Sequence, residues 1–191
     1  MATLSTGEKV AGPKALRTLL GKVRRLGRSL SRKEKGSSNW VKAKKKLARL
    51  HAKIANLRSE SLHQLTTDLT RRFHTIVIED LNVKGMLKNH CLARAIADMG
   101  FYEFRRQLTY KAQWCGGSVV LADRWYPSSK LCSHCGYKLE TLKLGQREWV
   151  CPACNINHDR DVNAAINLKN LTVSSTVAAC GGARRWPCVQ T

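Results

Sequence analysis

His74-Thr-Ile-Val-Ile-Glu-Asp80 and, further along, Ser118-Val-Val-Leu-Ala-Asp123 are the stretches that decide the fold. The Ile76-Val77-Ile78 run is short, uninterrupted and β-branched, as expected of a strand buried on both faces, and Glu79 falls at its end. Between the two stretches, Leu92 to about Trp114 reads as one amphipathic helix. Ile96, Phe101, Phe104 and Leu108 lie close to one face of it, and Arg105, Arg106 and Lys111 nearer the other. Strand, helix, strand is the rhythm of an α/β layer with helices packed on a sheet. The layer is interrupted after Asp123 and resumes with Asp161-Val-Asn-Ala-Ala-Ile-Asn-Leu168, a helix whose Val162, Ala165 and Ile166 share a face.

The interruption carries Cys132-Ser-His-Cys135 and Cys151-Pro-Ala-Cys154, with fifteen residues between the pairs. That is zinc-ribbon spacing: each pair forms a tight knuckle that points two thiolates at one tetrahedral ion, and Gly136 supplies the backbone freedom such a turn needs. The alternatives are two disulfides or four unrelated buried thiols. No signal-peptide pattern is visible at Met1 to Gly12, and in a reducing compartment thiolate ligands are favoured over disulfides. Cys91, Cys115, Cys180 and Cys188 have no partner at this spacing.

On the amino-terminal side, Lys9 to Arg58 holds seventeen Lys and Arg residues, with Glu34 as the only acid. Pro13 suits the first turn of a helix running to about Lys35, where Gly36-Ser37-Ser38-Asn39 breaks it and offers an N-cap for a second helix. In the second helix Leu47, Leu50, Ile54 and Leu57 recur at helical steps, followed by Leu62, Leu65 and Leu69. Lys42, Lys44, Lys45, Lys46, Arg49, Lys53 and Arg58 fall on the other face. A solvated charged face is the bland reading. So many like charges repel unless neutralised, which favours phosphate contact.

The whole chain of 191 residues, 43% of them hydrophobic, has room for a core, and 34 Lys plus Arg against 13 Asp plus Glu give it a formal net charge of +21. Such a charge points to a polyanionic partner, DNA or RNA first. A membrane surface would also attract it, yet no run of about 18 apolar residues is present. The expected setting is the bacterial cytoplasm, associated with the nucleoid.

Two acids are placed for chemistry. Glu79 ends a strand and Asp161 opens a helix just after the second knuckle, with Asp159 two positions earlier; groups at the carboxyl ends of strands converge on a common crevice. Cleaving a phosphodiester with two Mg2+ or Mn2+ ions needs several carboxylates, because these hard ions demand oxygen ligands held roughly 4 Å apart. The bland readings are a polar residue leaving a strand, and a first-turn acid favoured by the helix dipole.

Three stretches together carry a resemblance: Ile76-Val-Ile-Glu-Asp-Leu-Asn-Val-Lys-Gly-Met86, Trp125-Tyr-Pro-Ser-Ser-Lys-Leu-Cys-Ser-His-Cys-Gly136 and Asn157-His-Asp-Arg-Asp-Val-Asn-Ala-Ala-Ile-Asn167. They resemble the OrfB, or TnpB, proteins of bacterial insertion sequences, which are related to type V CRISPR effectors. The resemblance implies an RNase H-like (RuvC) nuclease, split by a helical insertion and a zinc ribbon, in which an RNA guides DNA cleavage. It implies that Glu79 and Asp161 are the second and third catalytic acids, and that Cys132, Cys135, Cys151 and Cys154 hold a structural Zn2+. The family's first catalytic Asp precedes a segment resembling Ala2-Thr-Leu-Ser-Thr-Gly-Glu-Lys9, and no acid before Glu79 matches it.

The expected architecture is therefore an α/β chain with an incomplete RuvC layer. Residues 1–12 are a remnant after a missing first strand, 13–72 a basic helical hairpin, 73–127 the RuvC-like core, 128–158 the ribbon, 159–171 the final RuvC-like helix and 172–191 a disordered tail. The expected function is a transposition-related, truncated relative that binds DNA and a guide RNA without cleaving, Mg2+ or Mn2+ being held only where the acid set is complete. The alternative is a non-catalytic zinc-ribbon protein that binds nucleic acid or regulates.

Overall fold

The computed structural model of the chain describes residues 2–143 and 145–176, the last four by their backbone alone. In chain order the elements are β1 (Ala2–Thr3), β2 (Lys9–Val10), α1 (Ala15–Ser31), α2 (Ser38–Arg72), β3 (Thr75–Glu79) and α3 (Val83–Leu87). They continue with α4 (Ala93–Met99), α5 (Phe101–Trp114), β4 (Ser118–Ala122), β5 (Glu148–Val150), β6 (Asn157–Asp159) and α6 (Arg160–Thr176). They form two compact units. One holds Met1–Ala11, Leu69–Leu81 and the chain from Leu108 onward; the other holds Gly12–Asp68 and Asn82–Gln107.

In the first unit β3 and β4 pair in parallel, from Thr75 opposite Ser118 to Glu79 opposite Ala122, as the strand-helix-strand rhythm requires. Helix α6 packs against both strands and against β1, which closes an antiparallel hairpin with β2. Residues 1–11 thus belong to this α/β unit. The strands are less covered than their composition suggests: Ile76, Val77 and Ile78 are half-buried, and Val120 and Leu121 are exposed. Among the described residues the sheet has two strands, so each keeps an unpaired edge. The covered stripe of α6 also differs from expectation. Asn163 and Asn167 are buried, while Val162, Ala165 and Ile166 are half-buried. The helix runs on through 172–176, expected as tail; 177–191 lie outside the described residues.

The second unit is helical, and it takes 82–107 out of the stretch assigned from sequence to the α/β core. Helix α1 stops at Ser31, four residues early, and the chain turns through Gly36 before Ser37 caps α2, its Oγ accepting from the Trp40 amide at 3.2 Å. On α2 the covered stripe runs Leu50, Ile54, Arg58, Leu62, Thr66 in steps of four. With 3.6 residues per turn such a stripe slants around the helix, which leaves Leu57 exposed and carries Arg58 inward.

Arg58 meets Asp98 there. Its Nη2 lies 2.9 Å from Asp98 Oδ1, its Nε donates to the Asp98 carbonyl at 3.1 Å, and the Asp98 side chain is only 6% exposed. The same carboxylate accepts the Leu16 and Arg17 amides at 3.1–3.2 Å, supplying from α4 the N-cap that Lys14 does not give α1. One buried charge therefore joins α1, α2 and α4. Gly100 breaks the helix expected over 92–114: at φ +66° it terminates α4, and a Cβ there would press Leu62 at 3.1 Å. In α5, Lys111 follows Leu108 by three and Phe104 by seven, so helical spacing itself puts it on the covered face, where burial lowers its pKa. No helix among the described residues is long and apolar enough to cross a membrane.

Asp98→Ala should lower the unfolding free energy by about 3 kcal/mol in chemical denaturation, since it strands a half-buried guanidinium and two helix-terminal amides. A loss below about 0.5 kcal/mol would contradict this role.

Candidate functional site

The two knuckles are built alike. Cys132 N donates to the Tyr137 carbonyl and Gly136 N to that of Cys132; in the second, Cys151 N donates to Ile156 and Asn155 N to Cys151. Each pair is thus followed by a residue in the left-handed region, Gly136 at φ +77° and Asn155 at φ +56°, two residue types that tolerate it. Strands β5 and β6 pair across the second knuckle, Trp149 opposite His158, and Cys132, Trp149 and Cys151 form a small core with Leu139 and Leu142.

The four Sγ atoms lie within 4.8 Å of one another, Cys132 to Cys154 at 3.7 Å and Cys135 to Cys151 at 3.6 Å. A tetrahedron with zinc–sulfur bonds of about 2.3 Å has edges of about 3.8 Å, so the donor set fits that ion and is far too open for disulfides. Crowding splits the thiols. Burial opposes the Cys151 thiolate, but the Cys154 and Ala153 amides and the Cys135 thiol bring its pKa down to about 7. The Ile156 amide favours the Cys154 thiolate, yet burial and the neighbouring sulfurs push its pKa up to about 12. One dication would remove this conflict by stabilising all four thiolates. His158 stands beside them, Nε2 3.0 Å from Cys132 Sγ, its ring against Trp149 and its pKa lowered by burial and then by His134.

The acids sit around this clip. Glu79, at the exposed end of β3, accepts a hydrogen bond from Ser128 Oγ at 3.1 Å. Asp161, in the first turn of α6, pairs with Arg147 at 3.2 Å. Asp159 has another job: its Oδ1 accepts the Asp161 and Val162 amides at 2.9 and 3.0 Å, which caps α6, and its Oδ2 holds Lys9 at 2.6 Å. The Lys9 contact and those amides lower its pKa. Among the described residues the cysteines are the one group of three or more metal-binding side chains so close together; no three carboxylates come that near one another, and Glu79 and Asp161 each bond to a different partner, Ser128 and Arg147.

The basic side chains divide. Lys42, Lys44, Lys45, Lys46, Arg49 and Lys53 are all exposed on α2, and Lys42, Lys46, Arg49 and Lys53 share one stripe by helical spacing. Arg58 differs from the sequence expectation: its guanidinium is engaged with Asp98.

Comparison with known proteins adds to this geometry. Residues 1–90 match the OrfB family profile described as "Probable transposase", and residues 101–168 match that described as "Cas12f1-like, TNB domain". A protein of Streptomyces pristinaespiralis, provisionally named an RNA-guided DNA endonuclease, is 49% identical over 181 residues, 95% of this chain and 44% of its own. A TnpB-like protein of Acanthamoeba polyphaga mimivirus is 33% identical over 137 residues, 66% of this chain and 26% of its own. This is OrfB/TnpB-family sequence. A solved structure shares the fold: the Cas12f1 chain of a Cas12f1–sgRNA–target DNA complex matches with a TM-score of 0.59 over 83% of this chain and 42% of that one, at 19% identity. The chain spans less than half the length of these relatives.

In this OrfB/TnpB-type chain sequence reasoning passed over the buried amides between clip and helix, Asn163 and Asn167, and read Ser128 only as part of the loop that leads into the ribbon. Their signal was readable. Two asparagines four apart in a helix interior are poor helix formers on one face, which is a reason to look for a partner.

Asp159→Ala should cost about 1 kcal/mol through the lost cap, and Asp161→Ala less than about 0.5 kcal/mol. Because the folded-state pKa of Asp159 is depressed, its contribution is present above the unfolded carboxyl value of about 3.9 and fades as pH falls below it. Urea titrations of the zinc-loaded variants at pH 7 check the division of roles, which equal losses for the two variants would contradict.

Proposed function

We propose that this chain is a nucleic-acid-binding part of OrfB/TnpB-type insertion-sequence machinery, serving transposition and DNA recombination, with DNA and a guide RNA as its partners. The observation that carries this reading is the four-thiol clip inserted between β4, the partner of the Glu79 strand, and α6, which bears Asp161. In this reading β3, β4 and α6 are part of an RNase H-like (RuvC) layer, and Cys132, Cys135, Cys151 and Cys154 hold one structural Zn2+. The exposed lysines and arginine of α2 face phosphate. Glu79 and Asp161 are the acids to which a Mg2+ or Mn2+ ion would bind.

Two carboxylates carry too little charge to hold a pair of divalent ions, and Mg2+ parts with its waters reluctantly. The 191-residue chain by itself therefore binds and does not cut. The non-catalytic alternative, a zinc-ribbon binding or regulatory module, draws support from the same lack of a third acid among the described residues.

Both halves are measurable on the zinc-loaded chain. Duplex DNA affinity should fall with salt by a log-log slope of about 0.9 per neutralised phosphate, and Lys46→Gln, Arg49→Gln and Lys53→Gln should each reduce that slope by about one, while Arg58→Gln leaves it unchanged. Plasmid incubated with Mg2+ or Mn2+ should stay supercoiled. A flat salt dependence would overturn the binding assignment, and nicking that vanishes in Glu79→Ala would overturn the absence of cleavage.

A further inference from the structure

We infer that Ser128, Asn163 and Asn167 are a positioning relay through which the zinc clip sets the orientation of the Glu79 carboxylate; the functional meaning of this rests on the reading of Glu79 given above. Ser128 Oγ donates to Glu79 Oε1 at 3.1 Å, which holds one carboxylate oxygen and leaves the other for a metal. The main-chain carbonyl of Ser128 is itself held, accepting Asn167 Nδ2 at 2.8 Å. Asn163 and Asn167 both donate to the Leu131 carbonyl, at 2.7 and 2.6 Å, immediately before Cys132. Asn163 Oδ1 also accepts the Ser133 amide at 2.9 Å, inside the first knuckle. A continuous path of hydrogen bonds therefore runs from that knuckle, through two side chains of α6, to the acid at the end of β3.

The path is dry. Asn163 is 1% exposed, Asn167 3% and Ser128 6%. Buried amides gain little over apolar side chains of similar size, and asparagine is a poor helix former, so packing alone would favour leucine or methionine at both positions. What the amides add is direction: each fixes a carbonyl or an N–H at one distance and angle, and so sets the register of the clip on the helix. A metal gripping Cys132 and Cys135 fixes the Leu131 carbonyl and the Ser133 amide between which Asn163 is held. Without it the four sulfurs have no common partner, the knuckle loosens, and the Ser128 hydroxyl has no fixed place from which to reach Glu79.

The chain has seven glutamates, so carboxylate 13C NMR of the 13C-Glu-labelled 191-residue chain can follow each, with Glu79→Gln assigning the signal. At fixed pH, Ser128→Ala should shift the Glu79 signal and leave zinc release to a chelator unchanged, and Ser128→Thr, which keeps the hydroxyl, should restore the signal. Asn163→Ala should shift it the same way and release zinc about 10-fold faster or more. Stripping zinc from the unmodified chain should shift it too, but should add no further shift in Ser128→Ala, which a general loosening of the ribbon would not produce. A Glu79 signal that follows Ser128→Ala but ignores zinc removal overturns the relay, as does a zinc-dependent shift of equal size in Ser128→Ala; neither depends on Asn163→Ala folding. Broadening of the Glu79 signal by Mn2+ is a separate readout. Its absence with the relay intact refutes the metal-ligand reading of Glu79 alone.

Discussion

Four sulfurs held within 4.8 Å of one another are the constraint on which the first unit depends. Left to themselves they cannot all ionise: one thiol is drawn down to about 7 and another pushed up to about 12. A single dication would resolve that frustration and would stabilise the unit, because binding free energy at such a site is also folding free energy. The hydrophobic support is small, one tryptophan and two leucines around two cysteines, so the clip cannot be held by burial alone. What it holds is more than itself, since its first knuckle is hydrogen-bonded to α6 through Asn163.

The helical unit meets the opposite electrostatic problem. It is rich in positive charge, and its one deeply buried acid, Asp98, collects a guanidinium and two helix-terminal amides. Buried ion pairs add little net stability over apolar packing, but they specify which elements meet and are costly to break. That is the use made of Asp98, where α1, α2 and α4 come together. Arg58 is thereby withdrawn from the surface, and the exposed stripe that can meet phosphate is correspondingly narrower than the charge count implies.

Much of this was legible in the sequence. The cysteine spacing located the clip, and the β-branched run and its partner after Gly116-Gly117 pair in parallel in register. The misreadings have separate causes. Arg58 counts as a surface charge until the slant of the covered stripe on α2 carries it inward, whereas Lys111, three residues after Leu108 and seven after Phe104, stands on the covered face of α5 by spacing itself. Gly100, one residue in an otherwise continuous amphipathic pattern, splits a helix because its left-handed backbone suits a C-cap. Units that interleave along the chain cannot be cut by composition, so residues 82–107 fall with the helices that they pack on. Asp159 and Asp161, two residues apart, are told apart in the sequence by the family resemblance alone; the hydrogen bonds add the physical distinction that Asp159 caps the helix.

The account stands on a metal held by four thiolates and by nothing else, although His158 Nε2 lies 3.0 Å from Cys132 Sγ and could take a sulfur's place. Zinc K-edge X-ray absorption on the purified chain separates these directly. One zinc per chain is expected, with four sulfur neighbours at about 2.3 Å and no nitrogen or oxygen bound to it. Three sulfurs with a nitrogen at about 2.0 Å, or a chain that folds with no zinc at all, would contradict it.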